Sequence, residues 1–238
     1  MRLPFFPLHT VLFPHLPLPL HIFEARYRAL VRDVMAEGSP YAGRFVVSMI
    51  VEGREAGGDR ARTSSVGTIC EIRTAEQLAD GRWVLLAVGI ARAGLGEIDE
   101  TGEYAVVEVD PLADEDGALE PPLLPAVQTA LDEYVETVKR FVTATASVGH
   151  ESHEIRGVAD SLDDVLKPIR LPEDASAASY AVGGLLQIEL TRRQHLLELP
   201  DAATRLAAEL DLLRRESRLL SESALPPIPT SDLGYHPN

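Results

Sequence analysis

Cysteine and lysine are scarce in this chain of 238 residues, which contains one cysteine and two lysines. A single thiol forms no intramolecular disulfide and no multi-cysteine metal site. Cys70 lies within the apolar run Val66 to Ile72. Free cysteines in such runs are usually buried, so we expect an inert core side chain rather than a nucleophile.

The positions of the two lysines, Lys139 and Lys167, argue against two kinds of active site. A phosphate-binding loop needs a lysine directly after a glycine, and here the preceding residues are Val138 and Leu166. A catalytic Ser–Lys dyad needs a buried lysine, whereas Lys139 lies in an amphipathic segment and Lys167 precedes a proline. Because a G-x-S-x-G elbow is also missing, we predict no catalytic residues and no cofactor.

The sequence lacks a long uninterrupted apolar run. Its most apolar stretch, Leu3 to Phe23, contains five prolines, which fit neither a membrane-spanning helix nor a signal peptide. We therefore expect a cytoplasmic protein without a membrane partner. The formal net charge of −15 disfavours nucleic-acid binding, for which the only local candidates are Arg54, Arg60 and Arg62.

Histidine spacing gives no metal motif. His150 and His153 are three apart, and His9, His15 and His21 are spaced by six among prolines. Neither set has the HExxH spacing or a cysteine partner, so we predict no metal site. The acidic run Asp114-Glu115-Asp116 is interpreted as solvated surface.

The first 110 residues have the pattern of a strand-rich domain with one inserted helix. Val11 to Phe23 is apolar and proline-punctuated, which favours extended edge segments. Apolar residues at helical spacing predict a helix over Glu24 to Glu37, ended by Gly38. Strands are predicted at Phe45 to Val51, Val66 to Arg73, Trp83 to Leu95 and Tyr104 to Val109, with a hairpin turn at Asp80-Gly81 and bulges or bends at Gly89, Gly94 and Gly96.

The pattern becomes helical after an acidic, proline-bracketed segment. Helices are predicted over Leu124 to Ala146 and Glu173 to Ile188, then from a capping Thr191 to Leu199, and from Pro200-Asp201 onward. Gly183-Gly184 weakens the second of these. The predicted division is a barrel domain (1–110), a linker (111–123), a helical subdomain (124–222) and a disordered tail (223–238).

Five stretches together resemble the amino-terminal substrate-binding domain of the Lon protease family. The most specific is LPFFPLHTVLFPHLPLPLHIFEARYRALV at Leu3 to Val31. Weaker blocks follow in the same order: FVVSMI from Phe45, VGTICEI from Val66, LADGRWVLLAVGIARAGL from Leu78 and RRQHLLELPDAATRL from Arg192. The resemblance extends from Leu3 to about Glu222.

The resemblance implies an α+β fold, a PUA-like β pseudo-barrel with an inserted helix followed by an all-α helical subdomain. In Lon proteases this part helps to recognise unfolded or tagged proteins and helps oligomerisation, and an AAA+ motor and a Ser–Lys peptidase follow it. Since this sequence has neither, we expect a stand-alone relative without peptidase activity. Two departures from the family pattern are His15, where a glycine is usual, and Ala93, where an aromatic residue is common.

Function is accordingly predicted to be non-catalytic binding of unfolded or extended polypeptides, as an adaptor or holdase. A separate protease and further copies of the chain are candidate partners. The alternatives are a small-molecule-binding or enzymatic barrel and an RNA-binding protein. Apolar residues of the opening are candidate polypeptide contacts because an exposed apolar patch marks a binding surface: Phe13, Pro14, Leu16, Pro17 and Leu18. Structural roles at a helix start are predicted for Glu24, Arg26 and Tyr27.

Overall fold

The computed structural model describes residues 1–53, 62–120, 122–147 and 169–223. Its strands are β1 (Arg2–Leu8), β2 (Pro17–Ile22), β3 (Arg44–Glu52), β4 (Arg62–Thr63), β5 (Val66–Gln77), β6 (Trp83–Asp99) and β7 (Val106–Pro111). Its helices are α1 (Ala25–Met35), α2 (Leu123–Ser147), α3 (Ala175–Leu185), α4 (Leu190–Glu198) and α5 (Ala202–Ser223). The predicted α+β class, with strands first and helices after them, is confirmed.

Five of the strands pair in a closed ring in the order β1, β7, β6, β5 and β3. A parallel pairing between β1 and β3 closes the ring, with Phe5 opposite Val46. Every strand of the ring contributes to one buried cluster, made of Leu3, Phe5, Val46, Ile69, Ala93, Val107 and Val109. These side chains therefore fill the interior of a small barrel.

A second buried cluster covers the other side of several of these strands. Phe6 and Val47 immediately follow Phe5 and Val46 in sequence, yet they belong to this second cluster with residues of α1. Side chains alternate between the two faces of a strand, so β1 and β3 are buried on both faces. That double burial explains why their sequences are continuous apolar runs rather than alternating ones.

The inserted helix α1 lies within the predicted range and buries the predicted face. Tyr27, Leu30, Val31 and Val34 are buried against the second cluster. Gly38 follows the helix with φ of 74°, a backbone conformation that favours glycine. The helical prediction for Glu24 to Glu37 is confirmed.

Strand β6 is long and irregular, as its glycines predicted. Its register with β5 shifts next to Gly89, and its register with β7 shifts across Gly96. Gly94, by contrast, pairs regularly with Val66. A Cβ at Gly89 would lie 2.6 Å from the carbonyl oxygen of Phe13, so the β1–β2 connection can approach β6 only where a side chain is absent.

The described chain forms two compact units whose boundaries differ from the predicted domains. One unit comprises Met1–Leu123 with Leu171–Glu209, and the other comprises Leu124–Arg170 with Leu210–Asn238. The first unit therefore contains the barrel together with α3, α4 and the start of α5. In the second unit, Val127 and Leu131 of α2 are buried.

Capping groups fix where the later helices begin. Asp174 and Asp201 each accept a hydrogen bond at 2.7 Å from the backbone N–H three residues on, at the starts of α3 and α5. The predicted cap Thr191 is wrong. Helix α4 begins at Leu190, because the backbone carbonyl of Glu189 already accepts from Arg192 and Arg193.

Residues 54–61, 121, 148–168 and 224–238 lie outside the described part of the chain. Several predicted features fall on them: two of the loop arginines, the His150 and His153 pair, Lys167 and nearly all of the proposed tail.

Candidate functional site

The connection between β1 and β2 carries the first of the predicted contact residues, and it is largely buried. Phe13 is fully buried with its ring centroid 6.3 Å from that of Tyr180, and Pro14 is buried beside it. A Cβ at Gly183 would lie 2.7 Å from the Phe13 ring. Gly183-Gly184, which weakened the prediction of α3, thus lets this helix pack closely on the connection.

His15 occupies the position at which the resembled family usually has glycine. Its φ of 66° lies in the left-handed region, where non-glycine residues are uncommon. The backbone N–H of His15 donates to the Gly89 carbonyl at 2.8 Å, and the Gly89 N–H donates to the Leu16 carbonyl at 3.0 Å. The turn therefore keeps its conformation with histidine and joins the connection to β6.

Strand β2 separates the remaining predicted residues onto two faces. Leu16, Leu18, Leu20 and Ile22 pack against the second core cluster, while Pro17, Pro19 and His21 are exposed. In register on β6, Pro19 pairs with Leu86 and His21 with Val84. Pro17 is thus the only one of the five predicted contacts whose side chain lies fully on the surface.

The outward residues of β2 and β6 form a continuous apolar surface, here called the outer strip: Pro17, Pro19, His21, Phe23, Val84 and Leu86. Phe23 is 63% exposed, Val84 47% and Leu86 37%. The His21 and Phe23 rings lie 6.3 Å apart. Large apolar side chains clustered on a surface are typical of sites that bind other molecules.

Sequence reasoning missed the β6 half of the outer strip. Val84 and Leu86 alternate with the buried Leu85 and Ala87 inside one apolar run, so period-two patterning is hidden. The sequence did contain one indication, the prediction that Val11 to Phe23 is an extended edge segment. An edge strand that pairs with the Trp83 to Leu95 strand leaves one face of the resulting pair open to solvent.

The residues assigned structural roles lie together at the start of α1. Arg26 pairs with Glu24 at 3.0 Å, and its guanidinium lies 4.4 Å from the centroid of the Tyr27 ring. Tyr27 is buried and stacks on Phe6 at 4.0 Å. These contacts anchor the helix start next to the end of β2, where Phe23 is exposed.

A buried polar network, not foreseen from sequence, joins the barrel to its helices within the first unit. Arg92 of β6 is 2% exposed and donates to the Asp114 carboxylate at 3.0 Å. It also donates to the carbonyls of Ala113, Leu197, Leu199 and Pro200. Asp114 is exposed, as predicted for the acidic run, but its carboxylate is also the counterion of a buried guanidinium, which the sequence did not indicate.

Tyr180 and Arg205 extend the same network. The Tyr180 hydroxyl donates to Asp114, and burial together with this hydrogen bond raises the pKa of the hydroxyl. Arg205 lies 4.4 Å from the centroid of the Tyr180 ring and donates to Ser179 Oγ at 2.7 Å. The described guanidinium groups of Arg92 and Arg205 thus donate to backbone carbonyls, the Asp114 carboxylate and the Ser179 hydroxyl, and these contacts join β6 to the helices of the unit. An arginine isolated in an apolar run, as Arg92 is, was the sequence signal for this network.

An open pocket of about 580 Å³ lies where the β6–β7 register shifts. Arg2, Ser65, Glu108 and Asp110 are among its lining residues. Among the described residues, no group of three or more His, Cys, Asp or Glu side chains is arranged to hold a metal ion. No helix in the described part of the chain is both long and apolar enough to cross a membrane.

Comparison with solved structures identifies the fold. A Lon N-terminal domain protein from Xanthomonas campestris aligns with a TM-score of 0.57 and 24% identity, over 89% of this chain and 98% of that one. The N-terminal domain of the Mycobacterium avium complex Lon protease aligns with a TM-score of 0.56 and 19% identity, over 90% and 98%. At these identities the likeness concerns the fold alone.

Sequence comparison points the same way. A Lon protease of Trichlorobacter lovleyi is 26% identical over 161 residues, or 67% of this chain and 18% of the relative. A Lon protease of Buchnera aphidicola is 24% identical over 230 residues, or 92% and 26%. The chain thus spans about a fifth to a quarter of the length of these relatives. The model of the ATP-dependent protease La (LON) substrate-binding domain matches residues 2–215, and the chain belongs to this family.

Proposed function

We propose that this chain is a non-catalytic module that binds unfolded or extended polypeptides through the outer strip, as an adaptor or holdase. The family to which it belongs is described as a substrate-binding domain. The observation that carries the proposal is the exposure of Phe23, Val84 and Leu86 on one face of the β2–β6 ribbon. Exposed apolar anchors are what a folded surface needs to hold an unfolded segment.

The strip is suited to weak, reversible capture. Covering its three large side chains, each roughly half exposed, would contribute about 2–4 kcal/mol, since fully burying one such side chain contributes about 1.5–3 kcal/mol. Binding also orders the client, which opposes part of that gain. A client therefore needs several apolar residues in one segment to stay bound, a property of unfolded chains rather than of folded surfaces.

The proposed contact residues now differ in part from those taken from sequence. Pro17 remains, and Pro19, Phe23, Val84 and Leu86 join it. Leu16 and Leu18 support the strip from beneath, while Phe13 and Pro14 shape the connection.

The test is suppression of aggregation of a chemically unfolded client, with and without ATP. We expect ATP-independent suppression by the natural chain and a loss in a Val84→Thr/Leu86→Thr variant. The matched control is Val51→Thr/Leu119→Thr, because Val51 is 43% exposed and Leu119 37% exposed outside the strip. The Val84→Thr/Leu86→Thr variant, here called the strip variant, loses about half of the apolar contact that these two side chains can make. We therefore expect its affinity for the client to be roughly tenfold weaker.

The proposal fails if the natural chain does not suppress aggregation at stoichiometric excess. It also fails if the strip variant and the control variant are equally active. Light scattering of the free chain and of client complexes would show whether several copies assemble, and co-purification with a candidate protease tests the adaptor role.

A second candidate function is small-ligand binding in the pocket at the β6–β7 register shift. The observation that favours it is a volume of about 580 Å³, which falls in the range of small-molecule sites. A thermal-shift screen of metabolites checks it. A ligand whose effect is lost in Gly96→Leu but kept in Val84→Thr/Leu86→Thr would support this alternative.

A further inference from the structure

The groups bordering the outer strip indicate which polypeptides it selects. On the β5 side, Glu76 lies in register with Val84 and Thr74 with Leu86. Glu76 is exposed and forms no ion pair with any described residue. The neighbouring carboxylate of Glu71 is already paired with Arg44 and Arg73. One uncompensated negative charge thus stands directly beside the apolar column of β6.

The other border of the strip is the outer edge of β2. The Leu16 carbonyl accepts from the Gly89 N–H, so the even-numbered residues of β2 direct their backbone groups to β6. By alternation, the backbone groups of Pro17, Pro19 and His21 lie on the outer edge. Proline has no N–H, so at positions 17 and 19 this edge offers a carbonyl acceptor and no donor. At these two positions an added β-strand would find half of its hydrogen-bond partners missing.

Two of the cations close to the strip already have acidic partners. Arg82 pairs with Asp80 at 2.7 Å and Arg26 pairs with Glu24 at 3.0 Å. The chain as a whole carries a formal net charge of −15. Glu76 on one border and the two proline positions on the other therefore present acceptors, and the net charge of the chain makes the surrounding field negative.

We propose that the outer strip selects unfolded segments in which apolar residues are flanked by lysine or arginine. The apolar side chains cover Phe23, Val84 and Leu86, and the cationic side chains donate to Glu76 and to the carbonyls of the β2 edge. Recognition runs through side chains and not through addition of a strand. This inference rests on the proposed function and names its substrate class.

The experiment uses three fluorescent peptides with the same apolar centre and with lysine, serine or glutamate on both flanks. Fluorescence anisotropy with the full chain is expected to give two- to fivefold tighter binding for lysine than for serine flanks, and weaker binding still for glutamate flanks. Exposed ion pairs are weak, which sets this modest range. The lysine preference should shrink in 0.5 M salt because exposed charges are screened.

Two variants locate the preference. In Glu76→Gln the lysine and serine peptides should bind within a factor of about 1.5 of each other. Glu37→Gln, which removes one negative charge from an exposed residue outside the strip, should keep the full preference. A preference that survives Glu76→Gln, or that falls equally in both variants, overturns the inference.

The outcomes separate the two proposals. Equal binding of all three peptides overturns the lysine and arginine selectivity and leaves polypeptide binding standing. Tighter binding of glutamate flanks does the same. No binding of any peptide overturns both. Where a peptide binds, weaker binding to the Val84→Thr/Leu86→Thr variant assigns the site to the outer strip.

Discussion

Replacement of Arg92 by methionine removes the centre of the network that joins the barrel to helices α4 and α5 in the first unit. The natural guanidinium is 2% exposed and donates to one carboxylate and four carbonyl oxygens. Methionine has similar length but no donor, so Asp114 and the carbonyls lose their partner. Asp114 is itself exposed, so the cost arises mainly from the carbonyls, at about 1–3 kcal/mol for each buried acceptor left without a donor.

With several such carbonyls affected, we expect Arg92→Met to lower the free energy of unfolding of this unit by about 3–5 kcal/mol, a large part of the 5–15 kcal/mol typical of whole domains. The assay is urea unfolding followed by the fluorescence of Trp83, the chain's one tryptophan, which lies on β6 and is half-buried against the second core cluster. Its signal reports this unit directly.

Two further variants keep the prediction testable if Arg92→Met does not fold. Arg92→Lys retains the charge but donates from a single nitrogen. Its free energy of unfolding should therefore lie between that of the natural chain and that of Arg92→Met. Arg82→Met removes an exposed arginine from its pair with Asp80 and should leave the unfolding midpoint unchanged. A midpoint for Arg92→Met equal to that of Arg82→Met would refute the reasoning.

Three further predictions concern other buried positions. Gly89→Ala should destabilise the chain by about 1–3 kcal/mol in thermal unfolding, because the new Cβ meets the Phe13 carbonyl at 2.6 Å, whereas Gly94→Ala, with no neighbour closer than 3.8 Å, should be near neutral; equal effects would contradict this. Burial raises the pKa of the Glu209 carboxyl well above its ordinary value, so ionising it opposes folding and stability should fall as pH rises from the unfolded pKa of about 4.3 through the folded value. Glu209→Gln should flatten that dependence in urea midpoints between pH 5 and 8, and an unchanged slope would contradict the cause. Burial also raises the pKa of the Cys70 thiol, so a thiol reagent should label the one cysteine only after unfolding; rapid labelling of the folded chain would refute its burial.

Local patterns predicted the elements well. Period-3.6 spacing located α1, β-branched runs located β3 and β5, and Asp80-Gly81 located the hairpin, where Gly81 has φ of 82°. Each of these depends on neighbours within a few residues, which the sequence displays directly. Glycines in β6 likewise marked where its register shifts.

Long-range partners were not predictable in this way. The acceptors of Arg92 include Leu197 and Pro200, more than a hundred residues away. The acidic segment 111–123 has the composition of a linker, yet the Ala113 carbonyl and the Asp114 carboxylate accept from a buried guanidinium. The backbone of Glu115 also forms an isolated bridge with that of Asp201, just before α5. The composition of a segment indicates how well that segment is solvated by itself. Only the folded chain shows which buried donors its acceptors must satisfy.

By itself, the sequence determined the family, the α+β class and the absence of a phosphate-loop lysine from the residues given. It also pointed to the proline-rich opening. Only the tertiary structure decided which of those residues face outward: pairing of β2 with β6 turns Leu18 towards the second core cluster and leaves Pro17 exposed, and it brings Val84 and Leu86 beside Pro17 and Pro19. The physical reason is that a strand's alternation fixes two faces, while its partners in space decide which face remains in water.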